Sequence, residues 1–306
     1  MSAETKPIGF MGVGAIGRPI AERLLDRTPL VICDPSEAAC DHFAGKAEFA
    51  AAPSELAGRV ETIFACLPSH QSYRAAVLAS DGILCGTRLK TFVHIGTTGP
   101  ELARKMSNAC AARQVAMIDA PVTGGPPRAR TGDLGVMASG PRDAFDAVEP
   151  LIRSYASTVT YLGSEPGQAQ LMKLINNMLS AANLAIASEV LLLGAKAGLD
   201  PVEMLAVVNA GTGQNSATLT KIPNHLLTRR FDYGGRLEVV YKDLAALVDQ
   251  AEMLRCNLPL SRIIADTYLT AIHEDGPNAD MTEVVRHMER EIGTTLGADP
   301  NAVADP

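Results

Sequence analysis

The chain has 306 residues, enough for two domains or for one large α/β domain with an appendage. Apolar residues make up 47% and charged residues 20%, the balance of a soluble globular protein. A net charge of −7, with no tryptophan and few aromatics, leaves neither a basic excess to neutralise phosphates nor platforms to stack bases, which excludes a general nucleic-acid binder.

The first ten residues, "MSAETKPIGF", lack the basic-then-apolar pattern of a signal peptide. The six cysteines at 33, 40, 66, 85, 110 and 256 form no CxxC pair and neighbour no histidine cluster. They are expected to be reduced, buried thiols of a cytoplasmic protein, with no disulfide and no metal site.

The stretch "PIGFMGVGAIGRPIAERLLD" is an apolar run, a glycine triplet and an amphipathic helix in which Ile16, Ile20, Ala21 and Leu24 recur at helical spacing. Gly12 permits a tight turn, Gly14 lets backbone approach a pyrophosphate, and Gly17 brings helix close to strand; Ala15 and Ile16 complete the loop. The N–H groups and dipole at the helix start attract phosphates. The same glycines would also serve packing alone. A second strand, "PLVICDPS", ends at Asp34, 17 residues past Gly17. A carboxylate there accepts both ribose hydroxyls and repels a 2′-phosphate, which favours NAD over NADP; no arginine follows directly. The alternative is an aspartate that only starts the next turn.

Strand and helix patterns then alternate. "VETIFACLP", "TFVHIG", "QVAMIDAP", "LGVMASG" and "STVTYLG" read as strands, with helices "PELARKMSNACAAR" and "PRDAFDAVEPLIRSY" between them. This predicts a mainly parallel, doubly wound sheet of Rossmann type, with ligands outside the carboxyl ends of the strands. "CLPS", "IGTTGP" and "DAPVTGG" fall at such ends.

From Glu165 the pattern becomes helical. A helix over about 167–197 would reach about 45 Å. It contains the most apolar stretch, but Glu189 and Lys196 interrupt it, so it suits a core helix rather than a membrane span. The fold class is therefore α/β, with a dinucleotide-binding domain over 1–164 and an all-α domain over 165–296 joined by the long helix. Residues 297–306 read as a flexible tail.

Four segments in this order resemble the β-hydroxyacid dehydrogenase family, which includes 3-hydroxyisobutyrate dehydrogenase and tartronate semialdehyde reductase. They are "GFMGVGAIGRPIAERLL", "DAPVTGGPPRARTGDL", "GQAQLMKLINN" and "YKDLAALVDQA". The resemblance covers nearly the whole chain and implies a C-terminal domain like that of 6-phosphogluconate dehydrogenase. It implies that Lys173 is catalytic, taking the hydroxyl proton as hydride leaves and returning it in reverse, with a pKa lowered by partial burial and by the positive nicotinamide. Asn177, one turn on, would hydrogen-bond the substrate hydroxyl or carboxylate and hold the lysine in place. Asn176 stands where 6-phosphogluconate dehydrogenases carry histidine, which argues against decarboxylation.

By the same resemblance Thr123, Gly124 and Gly125 anchor a substrate carboxylate, Leu67, Pro68 and Thr97 flank the nicotinamide ribose, and Lys242 closes over the cofactor. Each has a plainer reading: a snorkelling Lys173, a tight turn at 123–125, a solvated Lys242. Departures fall in the substrate loop. Thr123 replaces serine, and Pro127 and Arg128 replace small residues; Arg128 either reaches an acidic substrate group or faces solvent.

The resulting expectation is an NAD-dependent oxidoreductase interconverting a small 3-hydroxy acid with its 3-oxo acid or semialdehyde. The partners are a small carboxylate substrate and further copies of the chain in a homodimer or homotetramer, with no nucleic acid and no membrane. The alternatives are a catalytically silent dinucleotide-binding module and an imine reductase.

Overall fold

The computed structural model describes residues 6–297, so positions 298–306 of the expected tail lie outside the described residues. Two compact units divide the chain, Met1–Lys173 and Leu174–Pro306. The division falls nine residues later than the expected 164/165 boundary. The physical reason is that Ala169 and Gln170, in the first turn of the long helix, are fully buried within the first unit.

The first unit is built on six parallel strands: β1 (Ile8–Met11), β2 (Leu30–Cys33), β3 (Glu48–Phe49), β4 (Thr62–Ala65), β5 (Thr91–His94) and β6 (Ala116–Asp119). Their order is β3-β2-β1-β4-β5-β6. The order reverses between β1 and β2 on one side and β4 on the other, which opens the crevice that doubly wound sheets use for ligands. Alternate strand residues feed two separate cores. Phe10, Ile32, Phe64, Val93 and Ile118 pack on one face, and Met11, Val31, Ile63, Phe92 and Met117 on the other. Burial on both faces explains why these strands read as continuous apolar runs rather than alternating ones.

Helices α1 (Gly17–Leu25), α2 (Glu37–Asp41), α3 (Pro53–Arg59), α4 (His70–Leu78) and α5 (Gly99–Ala111) connect the strands. The chain then adds a second, smaller sheet to the parallel one. β7 (Val122–Thr123), β8 (Leu134–Ala138) and β9 (Ala156–Tyr161) form a separate three-stranded sheet, with β7 antiparallel to β8. The segments "LGVMASG" and "STVTYLG" are strands as expected, but of this second sheet. The cause is the short return through α6 (Gly125–Thr131), too brief to carry β8 across to the parallel edge. α7 (Arg142–Ile152) links β8 to β9.

α8 (Gln168–Lys196) is the long helix, and α9 (Pro201–Ala210), α10 (Leu237–Met253), α11 (Pro259–Asp275) and α12 (Val284–Ile292) follow it. Among the described residues the second unit holds no strand. By length and composition α8 would cross a bilayer. Within the second unit, however, its Leu174, Met178, Leu184, Leu191 and Leu192 are buried, as in a core helix. A π-helical segment, Ala217–Leu226, carries Pro223, which has no N–H to donate to the preceding turn. Arg229 closes the end of this segment with a two-pronged pair to the buried Glu289 on α12 at 2.5 and 3.0 Å.

The six cysteines are all free, but the expectation of burial holds for Cys110 alone. Cys85 and Cys256 are exposed, because both sit in connections rather than in strands. Burial pushes the Cys110 thiol up to about 12, so it stays protonated and inert.

Candidate active site

The glycine loop follows β1. Gly12 has φ +85°, in the left-handed region, and a Cβ there would lie 2.3 Å from the Cys66 carbonyl oxygen. A Cβ on Gly17 would lie 1.8 Å from the Gly12 carbonyl oxygen. Both positions are closed to side chains by the protein's own backbone. Gly14 differs: a Cβ there would meet no protein atom within 4 Å. Gly14 and Ala15 are exposed, and Ile16 is half-buried. No side chain caps the start of α1, and its first turn contains no acid. A concave backbone loop with uncapped N–H groups and open space above its middle glycine fits a pyrophosphate.

Asp34, at the end of β2, accepts from Val13 N at 2.8 Å through Oδ2 and from Ser36 N at 2.9 Å through Oδ1. It therefore starts the following turn, and it also braces the glycine loop. Each oxygen accepts one bond and keeps a lone pair for a ribose diol. The turn-starting reading of this aspartate is therefore observed, and its free lone pairs leave room for the other.

Leu67 and Pro68 follow β4, and Thr97 follows β5. Sequence reasoning gave no role to Tyr73 on α4, yet its buried hydroxyl joins these two loops. It accepts from Leu67 N at 3.0 Å and Gly96 N at 2.8 Å, and donates to Ala65 O at 2.8 Å. Burial holds its phenol well above the usual tyrosine value, so it remains a neutral donor.

Beyond β6, Thr123 lies in β7, and Gly124 and Gly125 adopt φ +120° and +68°. These left-handed conformations turn the backbone into α6, where Pro126 and Pro127 occupy the first helical positions, whose N–H groups have no helical partner in any case. Arg128 faces solvent, where its Nε donates to the equally exposed Asp133 Oδ2 at 3.0 Å. A hydrogen bond from Ser157, and after it the Arg128 guanidinium, hold the Asp133 carboxyl below its ordinary range.

Lys173 is half-buried on the second turn of α8. The turn before it carries Gln170, which is fully buried and uses its whole hydrogen-bonding capacity. Its Oε1 accepts from Thr98 N at 2.7 Å and Gly99 N at 3.0 Å. Its Nε2 donates to Gly96 O at 2.9 Å and Asp119 Oδ1 at 2.7 Å. Asp119 also accepts from Gln170 N through Oδ2 at 3.2 Å, and His94 Nδ1 lies 3.0 Å from its Oδ1. Gln170, Asp119 and His94 were not singled out from sequence. Two of them stand inside motif segments, but an amide or acid in an apolar run does not announce its partners.

In the second unit, Asn177 Nδ2 donates to Asp243 Oδ2 at 2.6 Å, and Asn176 Nδ2 donates to Asn177 Oδ1 at 3.3 Å. Lys242, on α10, pairs with the other Asp243 oxygen at 3.1 Å. Asp243 is buried and was not foreseen. Nor was Lys221, a buried lysine of the π-helical segment whose Nζ donates to Ser180 Oγ at 2.8 Å and lies 5.4 Å from the centre of the Tyr233 ring. Among the described residues no group of three or more histidine, cysteine or acidic side chains is placed to hold a metal.

Residues 7–163 match the family model for the NAD binding domain of 6-phosphogluconate dehydrogenase. Residues 167–288 match that for the NAD-binding of NADP-dependent 3-hydroxyisobutyrate dehydrogenase. The chain belongs to the β-hydroxyacid dehydrogenase family. It is 27% identical over 285 residues to L-threonate dehydrogenase of Cupriavidus necator, spanning 92% of this chain and 96% of that one. It is 28% identical to the mitochondrial 3-hydroxyisobutyrate dehydrogenase of Mus musculus, spanning 94% and 89%. Among solved structures, Psf3 in complex with NADP+ and 2-OPP superposes with a TM-score of 0.82 at 28% identity, covering 92% and 99%. The activity shared across the family is NAD(P)-dependent oxidoreduction of hydroxy acids at a CH–OH group, and this chain is an enzyme of that class.

Proposed function

We propose that the protein interconverts a small 3-hydroxy acid and its 3-oxo acid or semialdehyde, with NAD as hydride carrier and Lys173 as general acid/base. The observation that carries this reading is the placement of Lys173 three residues after Gln170. Gln170 is bonded to Gly96, Thr98 and Gly99 at the carboxyl end of β5, the edge at which parallel sheets hold their ligands.

The bound dinucleotide supplies a hydride acceptor at C4 of its nicotinamide ring. The chain's own residues do the rest. Gly12, Gly14, Ala15, Ile16 and Gly17 hold the pyrophosphate, and Asp34 takes the ribose diol. Leu67, Pro68 and Thr97 flank the nicotinamide side. The Thr123 hydroxyl and the N–H groups of Gly124 and Gly125 hold the substrate carboxylate, because charge-assisted bonds of this kind fix orientation as well as position. Lys173 takes the hydroxyl proton as the C–O bond becomes a carbonyl and returns a proton to the alkoxide in reduction. Asn177, braced by Asp243, orients the hydroxyl, and Lys242 neutralises cofactor charge.

NAD rather than NADP is favoured by the Asp34 carboxylate, which a 2′-phosphate would approach against like charge. Assembly into a homodimer or homotetramer is supported by an exposed apolar row on α8 formed by Ile175, Leu179, Ile186, Val190 and Leu193. The free cysteines favour a cytoplasmic setting.

The deciding experiment is Lys173→Ala, assayed at 340 nm against a panel of hydroxy acids and, separately, for NADH binding by fluorescence. Turnover is expected to vanish while NADH binding stays within a few-fold of the parent. Undiminished turnover would refute the role given to Lys173.

A further inference from the structure

We infer that Gln170 is a positioning residue for the hydride-transfer reaction, locking the cofactor-side loop after β5 to the helix that carries Lys173. The inference rests on the assignment of Lys173 above and adds a residue to its machinery.

The geometry is reciprocal capping. α5 begins at Gly99, and its N-cap residue Thr98 makes no side-chain capping bond. The Oε1 of Gln170 does that work from another helix, accepting from both Thr98 N and Gly99 N. In return, two first-turn N–H groups of α8 are taken by the body of the first unit. Gln170 N donates to Asp119 Oδ2 at 3.2 Å and Ala169 N donates to Ser139 Oγ at 3.1 Å. Each helix start leaves N–H groups with no partner inside the helix, and here each start is satisfied by the other's neighbourhood.

Gln170, Asp119, His94, Ser139 and Thr98 are all at most 3% exposed, so water cannot stand in for a lost bond. The loop between the two anchors is short. Gly96 O and Thr98 N are both bonded to the Gln170 amide, and Thr97 is the one residue between them. On the helix side, Lys173 is three residues on, a neighbour on the same surface. A rotation of the Gln170 amide would move Thr97 and Lys173 together. A saturated amide, with two bonds accepted and two donated, admits only one orientation. Simple packing of α8 would not require this: Ala169 and Leu174 already bury the apolar part of this turn.

The test exchanges donors and acceptors without changing size. Gln170→Glu keeps the bonds from Thr98 N and Gly99 N but replaces the donor toward Asp119 and Gly96 O with a carboxylate oxygen. Gln170→Glu with Asp119→Asn restores a donor–acceptor match to position 119 in reversed order, leaving the bond to Gly96 O broken. With the full-length protein and NAD, Gln170→Glu is expected to lower kcat about 10- to 100-fold at a temperature where it is folded, the scale of a small misplacement of reacting groups. NADH affinity should change far less, and the paired substitution should recover part of kcat.

A purely structural role predicts a lowered thermal midpoint with kcat unchanged. That result, or a pair that regains its midpoint without regaining kcat, overturns the inference. If Gln170→Glu does not fold, Ser139→Ala decides through the milder tether: a several-fold fall in kcat at a temperature where the variant is folded supports positioning, and an unchanged kcat overturns it. A parent chain inactive on every hydroxy acid would sink the Lys173 assignment instead. The position of that amine is then read without turnover, by its rate of acetylation with acetic anhydride followed by mass spectrometry. That rate should shift in Gln170→Glu and return in the pair; an identical rate in all three proteins removes the proposal.

Discussion

Asn177 and Lys242 meet on a single carboxylate: Asp243 accepts the Asn177 amide at 2.6 Å through one oxygen and the Lys242 ammonium at 3.1 Å through the other. Two residues expected to contact different ligands, the substrate and the cofactor, therefore share one buried acid. The pair is held by a group that touches neither ligand in the proposed mechanism. Asp243→Ala removes the bond that each of the two side chains makes to this acid. It is expected to lower kcat/KM about 10- to 100-fold by loss of orientation. Asn177→Ala combined with it should cost much less than the sum of the two, because both changes break one interaction. Steady-state kinetics of the four proteins form the cycle, and full additivity would show that the contact is idle.

Gly14 and Gly17 separate ligand room from packing room. A Cβ at Gly14 meets nothing within 4 Å, whereas one at Gly17 lies 1.8 Å from the Gly12 carbonyl oxygen. Gly14→Ala should leave the thermal midpoint unchanged and weaken NADH binding about tenfold, since the methyl would occupy the open space that the proposed function gives to the pyrophosphate. Gly17→Ala should destabilise the fold by on the order of 3 kcal/mol, as overpacking against backbone does. Calorimetry and NADH fluorescence on both variants check the contrast. Equal loss of stability in the two would mean that the loop is shaped by packing alone.

The same contrast shows how much was legible in the chain. Periodicity and glycine spacing announce β1, α1, β2 and the long helix, because each rule involves residues near in sequence. The second sheet was hidden. Whether β8 joins the parallel edge or pairs with β7 depends on a return of ten residues, not on β8's own pattern. At the site, Lys173 and the glycine loop stand in local motifs. The buried struts do not: Gln170 reaches Gly96 across 74 positions and Asn177 reaches Asp243 across 66. Arg128 was ambiguous for a related reason, since only the fold shows that Asp133 occupies its guanidinium.

In the proposed function, cofactor choice turns on Asp34, whose oxygens already brace Val13 and Ser36. Asp34→Ser removes the negative charge while keeping an acceptor for the turn. NADH should bind about tenfold more weakly, and the NADP-to-NAD ratio of kcat/KM should rise by more than that factor, because a repulsion is removed as well as an attraction. Assays with both dinucleotides decide. An unchanged ratio would mean that the ribose is selected elsewhere.

Lys221 offers a pH signature of stability. It is 3% exposed, pairs with no carboxylate among the described residues, and donates to the Ser180 hydroxyl. Desolvation lowers its pKa from the ordinary lysine value of 10.5. The unfolded chain keeps this proton up to about 10.5, while the folded chain sheds it earlier. Between the two values the unfolded state binds more protons, so stability from this group rises with pH. The penalty of the buried charge is complete below the folded pKa and gone above 10.5. Lys221→Met is apolar and close in length, and Ser180, half-buried, can turn to water. The variant should therefore melt higher than the parent at neutral pH, and its advantage should shrink steadily as pH climbs toward 10.5. Melting curves of both proteins across that range test this. A difference that is constant with pH would show that Lys221 carries no depressed ionisation in the fold.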